Sequence, residues 1–151
     1  MRNWELNLEA YQKYTKQKFN IYQLNEIRYG LGGGIEPPVD VTKYADPKYS
    51  ADQMFQIRLG LMNKVNVNVY ADPKFDRLQM EEIRLGLENG VDVSKYANTK
   101  FNNWQMQEIR WGLKNGLDVS TYADPELDWR EMKKIREKIE KGLGKIPELE
   151  I

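Results

Sequence analysis

Cysteine and histidine are both absent from the 151 residues. Without cysteine there is no disulfide and no thiolate metal site. Without histidine the chain lacks the commonest general base and the commonest metal ligand. An excess of charge is missing too, with 23 Lys and Arg against 23 Asp and Glu. That balance removes the simplest argument for a nucleic-acid or anionic-membrane partner, which needs a basic surplus. It argues equally against an acidic mimic of nucleic acid. No apolar run approaches the roughly 20 residues that span a bilayer. The opening MRNWELNLEAYQKY has no apolar core of the signal-peptide kind. The expectation is a soluble cytosolic protein, a single domain with a sizeable core, holding no membrane span, metal or cofactor.

What is present is periodicity, the first thing to look for in such a chain. The pair Ile-Arg recurs at Ile27, Ile57, Ile83, Ile109 and Ile135, in steps of 30, 26, 26 and 26 residues. The longer first step contains Gly32-Gly33-Gly34 and Pro37-Pro38, a loop-forming insertion of four residues. Tyr14, Tyr44, Tyr70, Tyr96 and Tyr122 each stand thirteen residues before an isoleucine of the series.

Helix signals keep the same register. Asn20, Ser50, Asp76, Asn102 and Asp128 are good N-caps, and Gln23, Gln53, Gln79, Gln105 and Glu131 follow three residues later. Each pair predicts a capping box. Phe19/Leu24, Tyr49/Met54, Phe75/Met80, Phe101/Met106 and Leu127/Met132 predict hydrophobic staples. Asn115-Gly116 supplies a left-handed stop. Between the long helices, Asp40, Asp92 and Asp118 are placed to cap one short helical turn ending near the tyrosine. An extended Val-Asp-Val is the other reading. Pro47, Pro73 and Pro125 then disfavour helix in the residue before them.

The predicted fold is all-α, a small solenoid of right-handed type with about five 26-residue units. Each unit is a short helical turn plus a helix of roughly three turns, because a unit this small buries its apolar face only against neighbours. The units fall near residues 14–38, 39–64, 65–90, 91–116 and 117–142. Residues 1–13 form an N-terminal capping helix, with Trp4, Leu8 and Tyr11 at helical spacing. Residues 143–151 form a tail.

Two faces appear on each helix. Met106, Ile109 and Leu113 lie within about 60° of one another and repeat in every unit as the core stripe. Trp104 and Trp111 lie at about 160° and 140° from Met106. Their counterparts are Tyr22/Tyr29, Asp52/Leu59, Leu78/Leu85 and Arg130/Glu137. This second face is either covered by the next unit or open as an aromatic patch, the residue class that dominates binding hot spots. The patch would comprise Tyr22, Tyr29, Leu59, Leu78, Leu85, Trp104 and Trp111. Gly30, Gly60, Gly86 and Gly112 interrupt the helices in register. Each costs about 1 kcal/mol against alanine, and close approach of a neighbouring backbone is the expected reason.

No catalytic constellation stands out. Arg28, Arg58, Arg84, Arg110 and Arg136 recur once per unit, either as a cation ladder for phosphates or carboxylates or as partners for aspartates and loop carbonyls. Asp46, Asp72 and Asp124 precede proline as in ordinary turns and do not match an EF-hand loop. Glu81/Glu82 are expected on a solvated face. Arg130 to Lys145 carries seven Lys and Arg against three Glu, a weak anion-binding hint.

The unit from Tyr70 to Val93, YADPKFDRLQMEEIRLGLENGVDV, resembles a short tandem repeat carried by proteins of gut Firmicutes and their phages and conjugative elements. The resemblance covers roughly residues 14–142. The first unit departs from it with Lys16-Gln17 for Asp-Pro, and the last lacks the helix glycine. The resemblance implies a mobile-element setting and no settled activity. Leu87 to Val93 also looks like the end of an ankyrin repeat, but the Thr-Pro-Leu-His signature and the roughly 33-residue period are missing, so that family is not assigned. The expected function is therefore non-enzymatic: a helical-repeat protein that binds another protein, in its concrete form an anti-CRISPR-like inhibitor directed at a host defence effector. The alternative is a nucleic-acid or nucleotide-binding protein using the repeated arginines and the basic C-terminal helix.

Overall fold

The computed structural model describes residues 4–149, with side chains as far as residue 142. Residues 1–3 of the expected cap and 150–151 of the expected tail lie outside the described residues. The described residues are all-helical, with no strand among them. The helices are α1 (Leu8–Thr15), α2 (Ile21–Arg28), α3 (Ala51–Met62), α4 (Arg77–Glu88), α5 (Asn103–Lys114) and α6 (Trp129–Leu149). Two compact units divide the chain, Met1–Arg84 and Leu85–Ile151. In the first, α2 packs against α1 and α3; in the second, α5 packs against α6.

Local chemistry explains where the helices start. Asn20, Ser50 and Asn102 form reciprocal capping boxes with Gln23, Gln53 and Gln105. Asp76 and Gln79 exchange the same two bonds, at 2.8 and 3.0 Å. Asp128 receives the N–H groups of Arg130 and Glu131 at 2.6 and 3.3 Å. Each bond satisfies a donor that the first turn leaves without an intrahelical acceptor. The core stripe is fully buried at Met54, Ile57, Met80, Ile83, Met106 and Ile109.

The segments between helices are 3-10 turns at Val41–Lys43, Val67–Val69, Val93–Lys95 and Val119–Thr121. The helical-turn reading therefore holds over the extended one. Asp40, Asp92 and Asp118 cap three of them, each accepting a backbone N–H two residues on at 3.1 Å. Asn66 does the same for the fourth.

Each turn aims a tyrosine back at the helix before it. Tyr44, Tyr70, Tyr96 and Tyr122 are fully buried. Tyr44 donates to the Glu26 carbonyl at 2.6 Å, Tyr70 to Gln56 at 2.6 Å and Tyr122 to Glu108 at 2.9 Å. The helix glycines exist for these hydroxyls, and this corrects the expectation of a close backbone. A Cβ at Gly30, Gly60, Gly86 or Gly112 would overlap the hydroxyl of Tyr44, Tyr70, Tyr96 or Tyr122 and press on a valine of the same turn. Tyr14 plays no such part; it sits in α1, edge-on to Phe19 at 6.2 Å.

The two chain ends differ from expectation. Helix α1 begins at Leu8 with Asn7 as its cap, so Trp4 precedes the helix. The segment before α1 is instead tied to the glycine insertion. Asn7 N–H donates to the Leu31 carbonyl at 2.9 Å. Gly32, at φ +100°, lies so close to the Glu5 carbonyl that a Cβ would come within 2.5 Å of its oxygen. At the other end, α6 runs on to Leu149, so most of the expected tail is helical. Gly142 does not take the positive φ that ends α4 and α5 at Gly90 and Gly116, both at +74°, and the preceding Lys, Glu and Ile residues favour helix.

Gly60→Ala is expected to lower stability by about 2 kcal/mol, overpacking outweighing the gain in helix propensity. Adding Tyr70→Phe should recover part of that loss by removing the overlapped oxygen. Denaturant unfolding of both single variants and the double checks this; simple additivity would show that the glycine and the tyrosine are not coupled.

Candidate functional site

The interactions that join neighbouring helices decide which side chains remain free for a partner. The capping-box glutamines are the first of them. Beyond its own cap, Gln23 Nε2 donates to the Pro47 and Tyr49 carbonyls at 3.3 and 2.6 Å. Gln53 reaches Pro73 and Phe75 at 3.2 and 2.7 Å, and Gln105 reaches Pro125 and Leu127 at 3.0 and 2.7 Å. A capping box tolerates Glu or Gln, but only the amide donates. Glu131, in the last copy, lacks that donor.

The arginines form the second. Arg58 Nε donates to Glu26 Oε2 at 2.8 Å and its Nη1 to Glu36 at 2.8 Å. Arg136 repeats the arrangement with Glu108 and Glu140 at 2.8 and 2.9 Å. Arg84 Nε donates to Gln56 Oε1 at 2.9 Å, and Arg110 Nη1 to Asn89 at 3.3 Å. Arg28 reaches the Gly33 carbonyl at 2.8 Å, the loop carbonyl expected for this series. For Arg58 and Arg136 the expected aspartates are replaced by glutamates, one of them on the preceding helix. Burial opposes the charge of Arg58 and Arg136, and the facing carboxylates overcome it, holding both above the ordinary guanidinium pKa. Arg58, Arg84, Arg110 and Arg136 are buried.

Three of these acceptors, Glu26, Gln56 and Glu108, stand just before an Ile-Arg pair, a place in the sequence that Glu82 shares. Glu82 is buried, which corrects the expectation of a solvated face; Glu81 beside it is half-buried.

The aromatic second face divides between the units. In the first, Tyr22 and Tyr29 line one open cleft of about 530 Å³ between α2 and α3, together with Phe55, Glu26 and Asp52. Tyr22 is 70 % exposed; Tyr29 and Leu59 are half-buried. Arg28 and Arg58 lie 4.9 and 5.4 Å from the Tyr29 ring centre. Leu78 is 37 % exposed. In the second unit Leu85 is half-buried, while Trp104 is 53 % and Trp111 37 % exposed.

The tryptophans do not stand alone. Trp104 packs on Trp129, with ring centres 5.8 Å apart. The Arg130 guanidinium lies 4.9 Å from the Trp129 ring centre, and Arg136 lies 5.3 Å from that of Trp111. Buried Arg136, fixed by two carboxylates, thus contacts the ring of an exposed tryptophan. Trp129 and Phe55 were absent from the sequence-derived patch. Both occupy registers whose other copies are unrelated residues (Ile21, Ala51, Arg77 and Asn103 for Trp129), and such irregularity was the available clue.

No group of three or more acidic, His or Cys side chains is placed to hold a metal among the described residues. Among the described residues, no helix is long and apolar enough to cross a membrane.

Gln105→Glu is expected to cost about 2 kcal/mol, because it keeps the cap and turns two donated bonds into facing acceptors. Glu131→Gln should be near neutral. Equal losses in the two variants would show that the amide's reach to the next turn carries no energy.

Burial raises the Tyr44 and Tyr122 hydroxyls far above the ordinary phenol value. The neutral hydroxyl therefore contributes stability in full below the unfolded value of about 10, and loses it as pH rises above that. Tyrosinate absorbance lost on Tyr44→Phe or Tyr122→Phe should belong to the alkaline unfolding transition seen by circular dichroism. Its appearance while the helices are intact would contradict this.

The chain matches no family model, no curated protein and no solved structure.

Proposed function

We propose that this is a non-enzymatic binding protein that acts through protein–protein contact, built as a small helical-repeat solenoid of about five units. The exposure of Trp104, which packs on Trp129, and of Trp111 carries the reading. Large aromatic surface left open on a helix already packed on its other face is costly to keep solvated, and tryptophan and arginine are the residues that dominate protein interfaces. The buried core of α5 is Met106 and Ile109 and its ion pair runs through Glu108. The Trp104 and Trp111 rings touch Trp129 and Arg136 and still keep large faces open to solvent. Tyr22, Tyr29 and Phe55 give the first unit an aromatic surface of the same kind, with Leu59, Leu78 and Leu85 as lesser candidates.

The mobile-element setting implied by the repeat resemblance makes a bacterial defence effector the concrete partner, and occlusion of that effector the mode of action. The nucleic-acid reading has less support. The recurrent arginines already donate to protein acceptors, and releasing them to phosphate would break bonds within the fold.

Trp104→Ala together with Trp111→Ala should weaken partner binding by at least about tenfold, in line with the roughly 2 kcal/mol of a hot spot, while the helical circular dichroism spectrum is retained. The partner is to be captured from bacterial lysate and its affinity measured with purified protein. Unchanged affinity in the double variant would place the interface elsewhere.

A further inference from the structure

The joining contacts follow one rule. The residue before Ile-Arg accepts from an arginine on the following helix, as Glu26 does from Arg58, Gln56 from Arg84 and Glu108 from Arg136. Helix α6 keeps this register and changes its chemistry. Lys134 stands where Glu26, Gln56, Glu82 and Glu108 stand, and is exposed. Lys138 occupies the glycine position that elsewhere receives the tyrosine, and Glu131 the position of the donating glutamine. A further helix of this chain's own kind would bring an arginine onto Lys134 and a tyrosine onto the side chain of Lys138.

The same face is built for the opposite charge. Arg130, Lys134, Lys138 and Lys141 are all exposed. They lie at about 160°, 200°, 240° and 180° from the core residue Met132, one stripe along the helix. From Arg130 to Lys141 the rise is roughly 16 Å, or three helical turns. The stripe ends on apolar surface, because Arg130 lies over Trp129 and Trp129 packs on Trp104. Basic residues at helical spacing running into an aromatic anchor complement a helix with carboxylates at matching spacing and one large apolar side chain. Two features favour carboxylates over phosphates. Glu131 and Glu137 interrupt the positive field, and the whole chain has no net charge.

We infer that the outer face of α6, with Trp104 and Trp129 at its rim, docks an acidic helical segment of a protein partner. The inference rests on the protein-binding reading above and adds the chemistry of the partner.

The test is selection of randomised helical peptides, displayed in a library, on the immobilised full-length chain. Enriched peptides should carry Asp or Glu at i and i+4 or i+7 together with an aromatic or Leu residue. They should lose at least tenfold in affinity for the Lys134→Glu/Lys138→Glu/Lys141→Glu variant, and keep it for the corresponding arginine variant. Should the triple variant lose helicity, Lys134→Glu alone serves, since glutamate already occupies this register in α2 and α5; a several-fold loss is then expected. Non-acidic peptides that bind through Trp104 would overturn this inference alone. Acidic peptides indifferent to the lysine variants would do the same. Tighter binding of single-stranded oligothymidine, lost in the lysine variants, would assign the face to nucleic acid instead. Self-association that the lysine changes abolish would assign it to a second copy. A library that enriches nothing would overturn the protein-binding reading as well.

Discussion

A tyrosine hydroxyl seated on a bare patch of helix is the constraint on which the fold depends. The hydroxyl must come from a turn beyond the helix, cross its surface and donate to a backbone carbonyl that is already part of the helical ladder. Tyr70 on Gln56 and Tyr122 on Glu108 show the requirement. It forces glycine at one helix position, a 3-10 turn to aim the ring and a valine beside it to close the gap. The helix cost of the glycine, about 1 kcal/mol, is offset by burial of a whole aromatic ring. The glutamine clamps then run forward from a helix to the turn before the next one, and Arg58, Arg84 and Arg136 run back to the helix before.

Much of this was legible in the sequence, for a definable reason. Caps, staples and turn prolines are local; they act over three to five residues, and the spacing displays them. Asn102 with Gln105 and Asp92 before Val93 therefore read correctly. The Met and Ile of the core stripe in α3, α4 and α5 also read correctly, because a helix has a fixed angular period, whereas Leu61, Leu87 and Leu113 at its edge are only half-buried. Contacts that close between helices read less well. The glycine register was visible, but whether backbone or side chain filled the space depended on the path of the turn after it. The partner of Arg58 was misread because Glu26 is 32 residues away in sequence, and a nearer aspartate offered a simpler pairing. Glu81 and Glu82 carry the same charge and differ by about 100° around the helix, and only Glu82 is buried.

The surface followed a different logic. Repetition marks residues that build the scaffold, and departure from repetition marks residues released from it. Trp104 and Trp111 stand out by that contrast. Trp129 departs from its register in the same way, its counterparts being Ile21, Ala51, Arg77 and Asn103. Helix α6 carries the largest cluster of departures, at Glu131, Lys134 and Lys138, each of which removes one of the contacts used between the helices before it.

The span of the joining bonds has a consequence for how the molecule assembles. Tyr70 and Tyr122 reach back 14 residues, Tyr44 reaches 18, the glutamine clamps reach 20 to 26 and the arginine pairs reach at most 32. None of these ties asks the chain to close a loop much longer than one unit. The entropy spent on loop closure grows with loop length, and chains dominated by short-range ties fold quickly. Order within each compact unit can begin at a single helix and its turn, and spread to the neighbour by the same few bonds.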